Sequence, residues 1–253
     1  SWDGIIMTIS EIFNKMEWGT APENDENAKA WLKENKNKFG HFINGNFVDA
    51  KNHFKTKNPA NNQFLANIAV GSKADVNLAV KSASNAQKKW AKTGGHARSR
   101  YLYAIARLIQ KHSRLFAVLE TIDNGKPIRE SRDIDIPLAI RHFYYHAGAA
   151  QLMEDNLPNH EAVGICGQII PWNFPLLMLS WKIAPAIAMG NTVILKSAEQ
   201  TPLIASQLIN ILHRAGIPKN VLIHLPGPGE TVGKELVASK MISGVVFTGS
   251  KEV

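Results

Sequence analysis

Several things are scarce in this sequence, and each scarcity closes a class of function. There is one cysteine, Cys166, in 253 residues. A lone thiol excludes an internal disulfide and any zinc site built from several cysteines, and it makes a reducing, cytoplasmic setting the expectation. The 9 histidines show no HExxH or comparable spacing, so no metal site is expected. Lys and Arg outnumber Asp and Glu by 29 to 21, yet no run of five basic residues occurs. A net charge of +8 spread this thinly reads as a solvated surface, not a nucleic-acid footprint, and it suits an anionic small molecule equally well. Long oily runs are absent too. The oiliest stretch, residues 169–190, is interrupted by Pro171, Asn173, Pro175, Lys182 and Pro185, whereas a membrane span needs about 20 nearly unbroken apolar residues. The first residues carry Asp3 and Glu11 and lack the apolar centre of a secretory signal. No internal repeat or low-complexity block is visible.

What remains is a globular chain, 45% hydrophobic, with material for a large core. Residues 1–40 read as an N-terminal helical extension: "EIFNKM" and "ENAKAWLKENKNKF" suit short helices, the second capped near Asn24 or Asp25. Asn44-Gly45 between apolar flanks predicts a type I′ hairpin, because both residues tolerate positive φ. Ser72 is the expected N-cap of a helix carrying Val76, Ala79, Val80, Ala83 and Trp90 on one stripe. A second helix is predicted over 98–126, closed by Asn124-Gly125 with Pro127 beyond, and a third over roughly 127–151. Up to this point the pattern reads as a helical layer with few strands.

From residue 162 the grammar changes. "VGICGQII", "NTVILK", "VLIHLPG" and "GVVFTGS" are apolar strands, and "PLLMLSWKIAPAIAMG", "TPLIASQLINILHRAG" and "GETVGKELVAS" are helices between them. Thr201 is the expected N-cap of the second of these helices, with Pro202 in its first turn. This βαβ rhythm, with near-continuous apolar strands, predicts an α/β fold: a doubly wound parallel sheet with flanking helices.

Ligands of such sheets bind beyond the carboxyl ends of the strands. Four unusual loops should meet there: the Pro171-Trp172-Asn173 break, the segment Lys196 to Glu199, the glycines Gly227, Gly229 and Gly233, and the turn after Phe247. Asn173 is either an amide aimed at an oxyanion or a turn-former. Lys196 and Glu199 are either a ribose grip or a surface ion pair. The glycine spacing is one residue longer than GxGxxG, and Pro228 and Glu235 spoil a P-loop, leaving Lys234 as a solvated helix residue. Cys166 lies inside a predicted strand, which suits an inert buried thiol.

Taken together, "GQIIPWNFPL", "WKIAPAIAMGNTVILKSAEQTP", "AGIPKNVLIHLPGPGETVG" and "ISGVVFTGSKEV" resemble the cofactor half of the aldehyde dehydrogenase superfamily, in family order and spacing, from about residue 40 onward. The resemblance implies NAD as cofactor and an aldehyde as the small-molecule substrate. It places Ile169, Ile170, Pro171 and Trp172 along the cofactor path and makes Asn173 the oxyanion amide. It implies that Lys196 and Glu199 hold the adenosine ribose, which favours NAD over its 2′-phosphorylated relative. Gly229 and Gly233 match the glycines beside the adenine, Phe247, Gly249 and Ser250 the turn that meets the pyrophosphate, and Trp181 and Lys182 the aldehyde tunnel and proton path. In the family a thiolate attacks the aldehyde, hydride leaves, and a glutamate-activated water releases the acid.

That thiol and that glutamate lie beyond the FTGS turn in the family, and this sequence ends at Val253. The chain is therefore expected to be a cofactor-binding half, truncated before the catalytic domain and inactive alone; the alternative is a non-catalytic dinucleotide-binding or interaction module. The start resembles a subfamily with an extra C-terminal module. Residues 41–253 form the expected NAD-binding domain. The resemblance allows a homo-oligomer, although the connection around 147–162 is shorter than the family's subunit-pairing arm. An exposed apolar edge at the last strand predicts poor solubility.

Overall fold

The computed structural model describes residues 8–11 and 23–251. The expected helix "EIFNKM" lies, apart from Glu11, outside the described residues. The first long element is α1 (Glu26–Glu34), where Asn24, not Asp25, supplies the capping oxygen, to the Glu26 amide at 3.1 Å. Its Ala28, Trp31 and Leu32 are buried, with Trp31 stacked on Phe39 at 4.8 Å, so this helix shares a core with the first strands.

Five strands come after it, where the sequence pattern showed few: β1 (Lys38–Phe39), β2 (His41–Ile43), β3 (Asn46–Val48), β4 (His53–Lys57) and β5 (Phe64–Ala69). Ile43 pairs with Asn46 across the Asn44-Gly45 turn, whose φ values of 56° and 78° are those of type I′. Strands β1, β5 and β4 form a small sheet.

The helices come next. α2 (Lys73–Lys92) starts on a capping box, with the Ser72 hydroxyl and the Asp75 carboxylate bonding each other's amides. The helix expected over 98–126 is two helices, α3 (Gly95–Lys111) and α4 (Ser113–Asn124), broken at His112. Gly125, at φ 89°, ends α4 as expected. A turn at Ile128–Glu130 and a π-helical stretch at Ser131–Asp135 lead into α5 (Ile136–Gln151).

The second half alternates β6 (Ile165–Ile169), α6 (Pro175–Ala188), β7 (Thr192–Lys196), α7 (Leu203–Arg214), β8 (Leu222–His224), a π-helical turn Gly229–Gly233 with α8 (Lys234–Ala238), and β9 (Gly244–Phe247). The sheet order is β3-β2-β8-β7-β6-β9, with β8, β7, β6 and β9 mutually parallel. This is the expected doubly wound α/β sheet, extended by a hairpin that joins antiparallel through Phe42 and His224. Both faces of the central strands β6, β7 and β8 are covered, whereas β9 at the edge is largely exposed. Ile194 and Ile223 pack with Val76, Ala79 and Val80 of α2 on one side, while Val193 and Leu195 join the core built with α3 to α7. The start of α7 differs from expectation. Pro202, not Thr201, is the N-cap, and the first amides, of Leu203 and Ile204, donate to the Asp123 carboxylate of α4. A proline N-cap has no side-chain oxygen, so the cap comes from elsewhere in the fold.

Two buried histidines, His41 and His224, sit at the β2–β8 seam. His224 Nε2 is 2.9 Å from the Ser197 hydroxyl, and burial, then His41 and Lys196, hold it down to about 3. The unfolded chain takes up its histidine protons near pH ~6.5. Below that pH it binds a proton that folded His224 refuses, so stability falls with falling pH, by about 1.4 kcal/mol per unit between roughly 6.5 and 3. Burial raises Glu120 and Asp123 to about 8, which has the opposite sign: their contribution is lost as pH rises from about 4 toward 8. His224→Gln is thus expected to flatten the acid limb of Tm against pH; an unaltered slope below pH ~6.5 would refute a neutral buried His224.

Candidate active site

The sheet order creates the site. From β6 the chain moves to β7 and β8 on one side, then returns to place β9 on the other side of β6. Such a reversal opens a crevice at the carboxyl ends of the strands. A cleft of about 1250 Å³ lies there, and all four loops singled out from the sequence line it.

The loop after β6 contributes Ile169, Ile170, Pro171, Trp172 and Asn173. Ile170 is buried and its amide bonds the Lys196 carbonyl at 3.2 Å, whereas Trp172 and Asn173 are exposed at the mouth. After β7 come Lys196, Ala198, Glu199 and Gln200. Lys196 is only 3% exposed, its Nζ bonding the Ser197 carbonyl at 3.0 Å and lying 3.4 Å from Glu199 Oε1. Burial lowers its pKa, and the Glu199 carboxylate works against that. Glu199 Oε1 also accepts the Gly229 amide at 2.7 Å. The pair is therefore no loose surface bridge: a buried lysine and a backbone amide hold one carboxylate oxygen, and Oε2 has no hydrogen bond among the described residues.

Gly229 and Gly233 bracket the π-helical turn that floors the cleft, and π turns favour functional sites. A Cβ on Gly233 would meet nothing nearer than Lys196 Cδ at 3.7 Å, so packing within the chain does not demand glycine there. Gly227 is different: at φ 146° it packs on Val232 and the Gly71 amide, outside the cleft, and its glycine is a backbone requirement. Lys234 is an exposed helix residue, as the sequence suggested, and it also lines the cleft. Phe247, Thr248, Gly249 and Ser250 close the far wall, and a Cβ on Gly249 would lie 2.6 Å from the tip of the Phe247 ring, which would have to shift.

Two expected residues stand off this wall, both on α6. Trp181 faces His142 on α5, ring centroids 5.3 Å apart. Lys182 is buried, its pKa lowered by that burial, and its Nζ donates to Thr248 Oγ1 at 2.6 Å, which ties α6 to the turn after β9. Thr248 belongs to the FTGS turn, but its sequence neighbours carry no signature of the contact with Lys182, so sequence reasoning missed it. Cys166 lies on β6, half-buried, with its thiol pKa raised by burial, so it is no ready thiolate. No group of metal-ligating residues occurs among the described residues. No helix among them is long and apolar enough to cross a membrane.

The family model described as the aldehyde dehydrogenase family matches residues 47–253. A mitochondrial aldehyde dehydrogenase of Leishmania tarentolae is 42% identical over 83% of this chain and 45% of its own length. Among solved structures, HpcC from Thermus thermophilus superposes with a TM-score of 0.84 at 35% identity, over 90% of this chain and 46% of that one. An aldehyde dehydrogenase from Bacillus cereus, solved as an NAD+ complex, gives a TM-score of 0.83 at 36% identity, over 93% of this chain and 49% of that one. The chain spans about half the length of the relatives it matches.

Proposed function

Because the chain belongs to the aldehyde dehydrogenase family, we propose that it supplies the NAD-binding half of an NAD-dependent oxidation of an aldehyde to a carboxylic acid. One observation carries the cofactor assignment: a carboxylate, Glu199, held by Lys196 and the Gly229 amide, with a second oxygen open to the cleft. A carboxylate so placed accepts hydrogen bonds from ribose hydroxyls and repels a 2′-phosphate. Gly233 lines the cleft without a side chain, so a ligand can approach its backbone closely. When bound, the dinucleotide would supply the hydride acceptor. Trp172 and Phe247 offer apolar surface on either side of the cleft, and Ser250 offers a hydroxyl beside the pyrophosphate path. Asn173 presents a side-chain amide at the mouth, where an oxyanion forming on the aldehyde carbon would need a donor. Lys182, with its pKa lowered and its ammonium on Thr248, is suited to hold or pass a proton behind that mouth.

The attacking thiolate must come from outside these residues, since Cys166 is a strand residue with a raised pKa. The same fact favours a second reading of the chain taken alone, a non-catalytic dinucleotide-binding module. A reducing compartment such as the cytoplasm suits a protein with one thiol. Calorimetric titration tests the shared premise. NAD is expected to bind, NADP to bind more weakly, and Glu199→Gln to weaken NAD about tenfold, near 1.4 kcal/mol, while narrowing the preference. No heat at millimolar NAD would overturn both readings; hydride transfer to NAD by the full-length gene product would decide between them.

A further inference from the structure

Asn173 makes no hydrogen bond among the described residues, yet both of its neighbours are fastened, and to one short turn 48 residues away. Asn124 Nδ2 donates to the Trp172 carbonyl at 2.6 Å. Lys126 Nζ sits 4.3 Å from the centre of the Phe174 ring. Two residues further on, the Leu176 amide points at Glu120 Oε1 at 3.5 Å, the outer limit of a hydrogen bond. The turn itself is rigid. Gly125 reverses the chain at φ 89°, and the Asn124 side-chain oxygen Oδ1 accepts the Lys126 amide at 3.1 Å. That inner bond decides which way the Asn124 amide faces: with Oδ1 turned inward, Nδ2 must face out toward Trp172. Lys126 is half-buried and is held by the buried Asp135 carboxylate, with Glu120 at 3.9 Å, so its place over the ring is fixed from behind.

Resting on the reading of Asn173 as the oxyanion donor, we propose that Asn124 is a positioning residue: with Lys126 and Glu120 it anchors the chain on both sides of Asn173 and so holds that amide at the mouth of the cleft. Trp172 and Asn173 are exposed and the loop has no ladder bonds of its own beyond Ile170. Without the Asn124 bond the loop is tied only at its ends, and misplacement of a catalytic donor by about 1 Å costs about a hundredfold in rate.

Asn124→Asp tests this: aspartate keeps an oxygen that accepts the Lys126 amide, loses the donated bond and turns a carboxylate oxygen toward the Trp172 carbonyl. Amide hydrogen exchange in the peptide 171–176 should accelerate about tenfold. The amides of Leu203 and Ile204, capped by the adjacent Asp123, serve as the control and should not change. Asn124→Ser is the second variant, with the same expectation, should Asn124→Asp fold poorly. In the full-length gene product, Asn124→Asp should lower kcat about a hundredfold, and should cost nothing further in kcat in an Asn173→Ala background. Loop exchange at the wild-type rate would overturn the proposal, as would a kcat loss that adds in full to that of Asn173→Ala. If Asn173→Ala alone leaves kcat intact, the oxyanion reading fails, and exchange in 171–176 still decides whether Asn124 anchors the loop.

Discussion

Replacing Asn173 by alanine in the full-length gene product is expected to lower kcat by about two to three orders of magnitude, with little change in KM. An amide that meets charge only as the oxyanion forms stabilises the transition state and not the bound aldehyde, and removing one such donor costs about 2.7–4 kcal/mol of barrier. Nothing in the fold depends on the Asn173 side chain, which is exposed and has no hydrogen-bond partner among the described residues. Its truncation should therefore leave thermal stability and NAD affinity within error of wild type. Steady-state kinetics and an NAD titration on the same preparation separate the outcomes. A rise in KM at unchanged kcat would make Asn173 a ground-state contact, and loss of NAD binding would place it in the cofactor site.

The second large effect concerns the fold. Trp90 of α2 is 1% exposed, and its indole Nε1 donates to the Ile187 carbonyl near the end of α6 at 3.1 Å. Trp90→Ala removes the ring and one of the bonds to that carbonyl, which keeps the Gly190 amide at 3.2 Å. A loss of about 3–5 kcal/mol is expected from urea unfolding, most of the stability of an ordinary domain. Leu78, on the same helix but 45% exposed, is the comparison: Leu78→Ala should stay within about 0.5 kcal/mol. Similar losses for both would mean that burial of the ring is not what sets the cost at α2, since alanine is itself the better helix former.

How much of this was legible in the sequence depends on the range of the interaction. The Ser72–Asp75 capping box, the Asn44-Gly45 hairpin and the Gly125 stop depend on residues within a few positions, and all were readable. The strands β6 and β7 were readable because burial on both faces makes them continuous apolar runs. Strand β5 was readable in "NPANNQFLANIAV" as a loop followed by a strand, but its partner β4 was not, because His53, Lys55 and Lys57 lean toward solvent and leave that strand without an apolar signature. The break at His112 is hidden because the apolar stripe continues on either side of it. The supply of the α7 cap by Asp123, 80 residues earlier, could not be found locally, and neither could the Lys182–Thr248 contact, 66 residues apart.

Local order and the succession of strand and helix were written in the chain, since propensity, capping and apolar period act over a turn or two. Those properties sufficed to predict that four loops would converge. Tertiary structure alone decided what the convergence does. It buried Lys196 so that it steadies Glu199, turned Gly227 out of the cleft and brought Lys234 to its wall, and it carried Asn124 to the Trp172 carbonyl. The physical reason is that desolvation and hydrogen-bond direction are set by whatever is packed nearby in space, and neighbours in space are chosen by the crossing of β9 to the far side of β6.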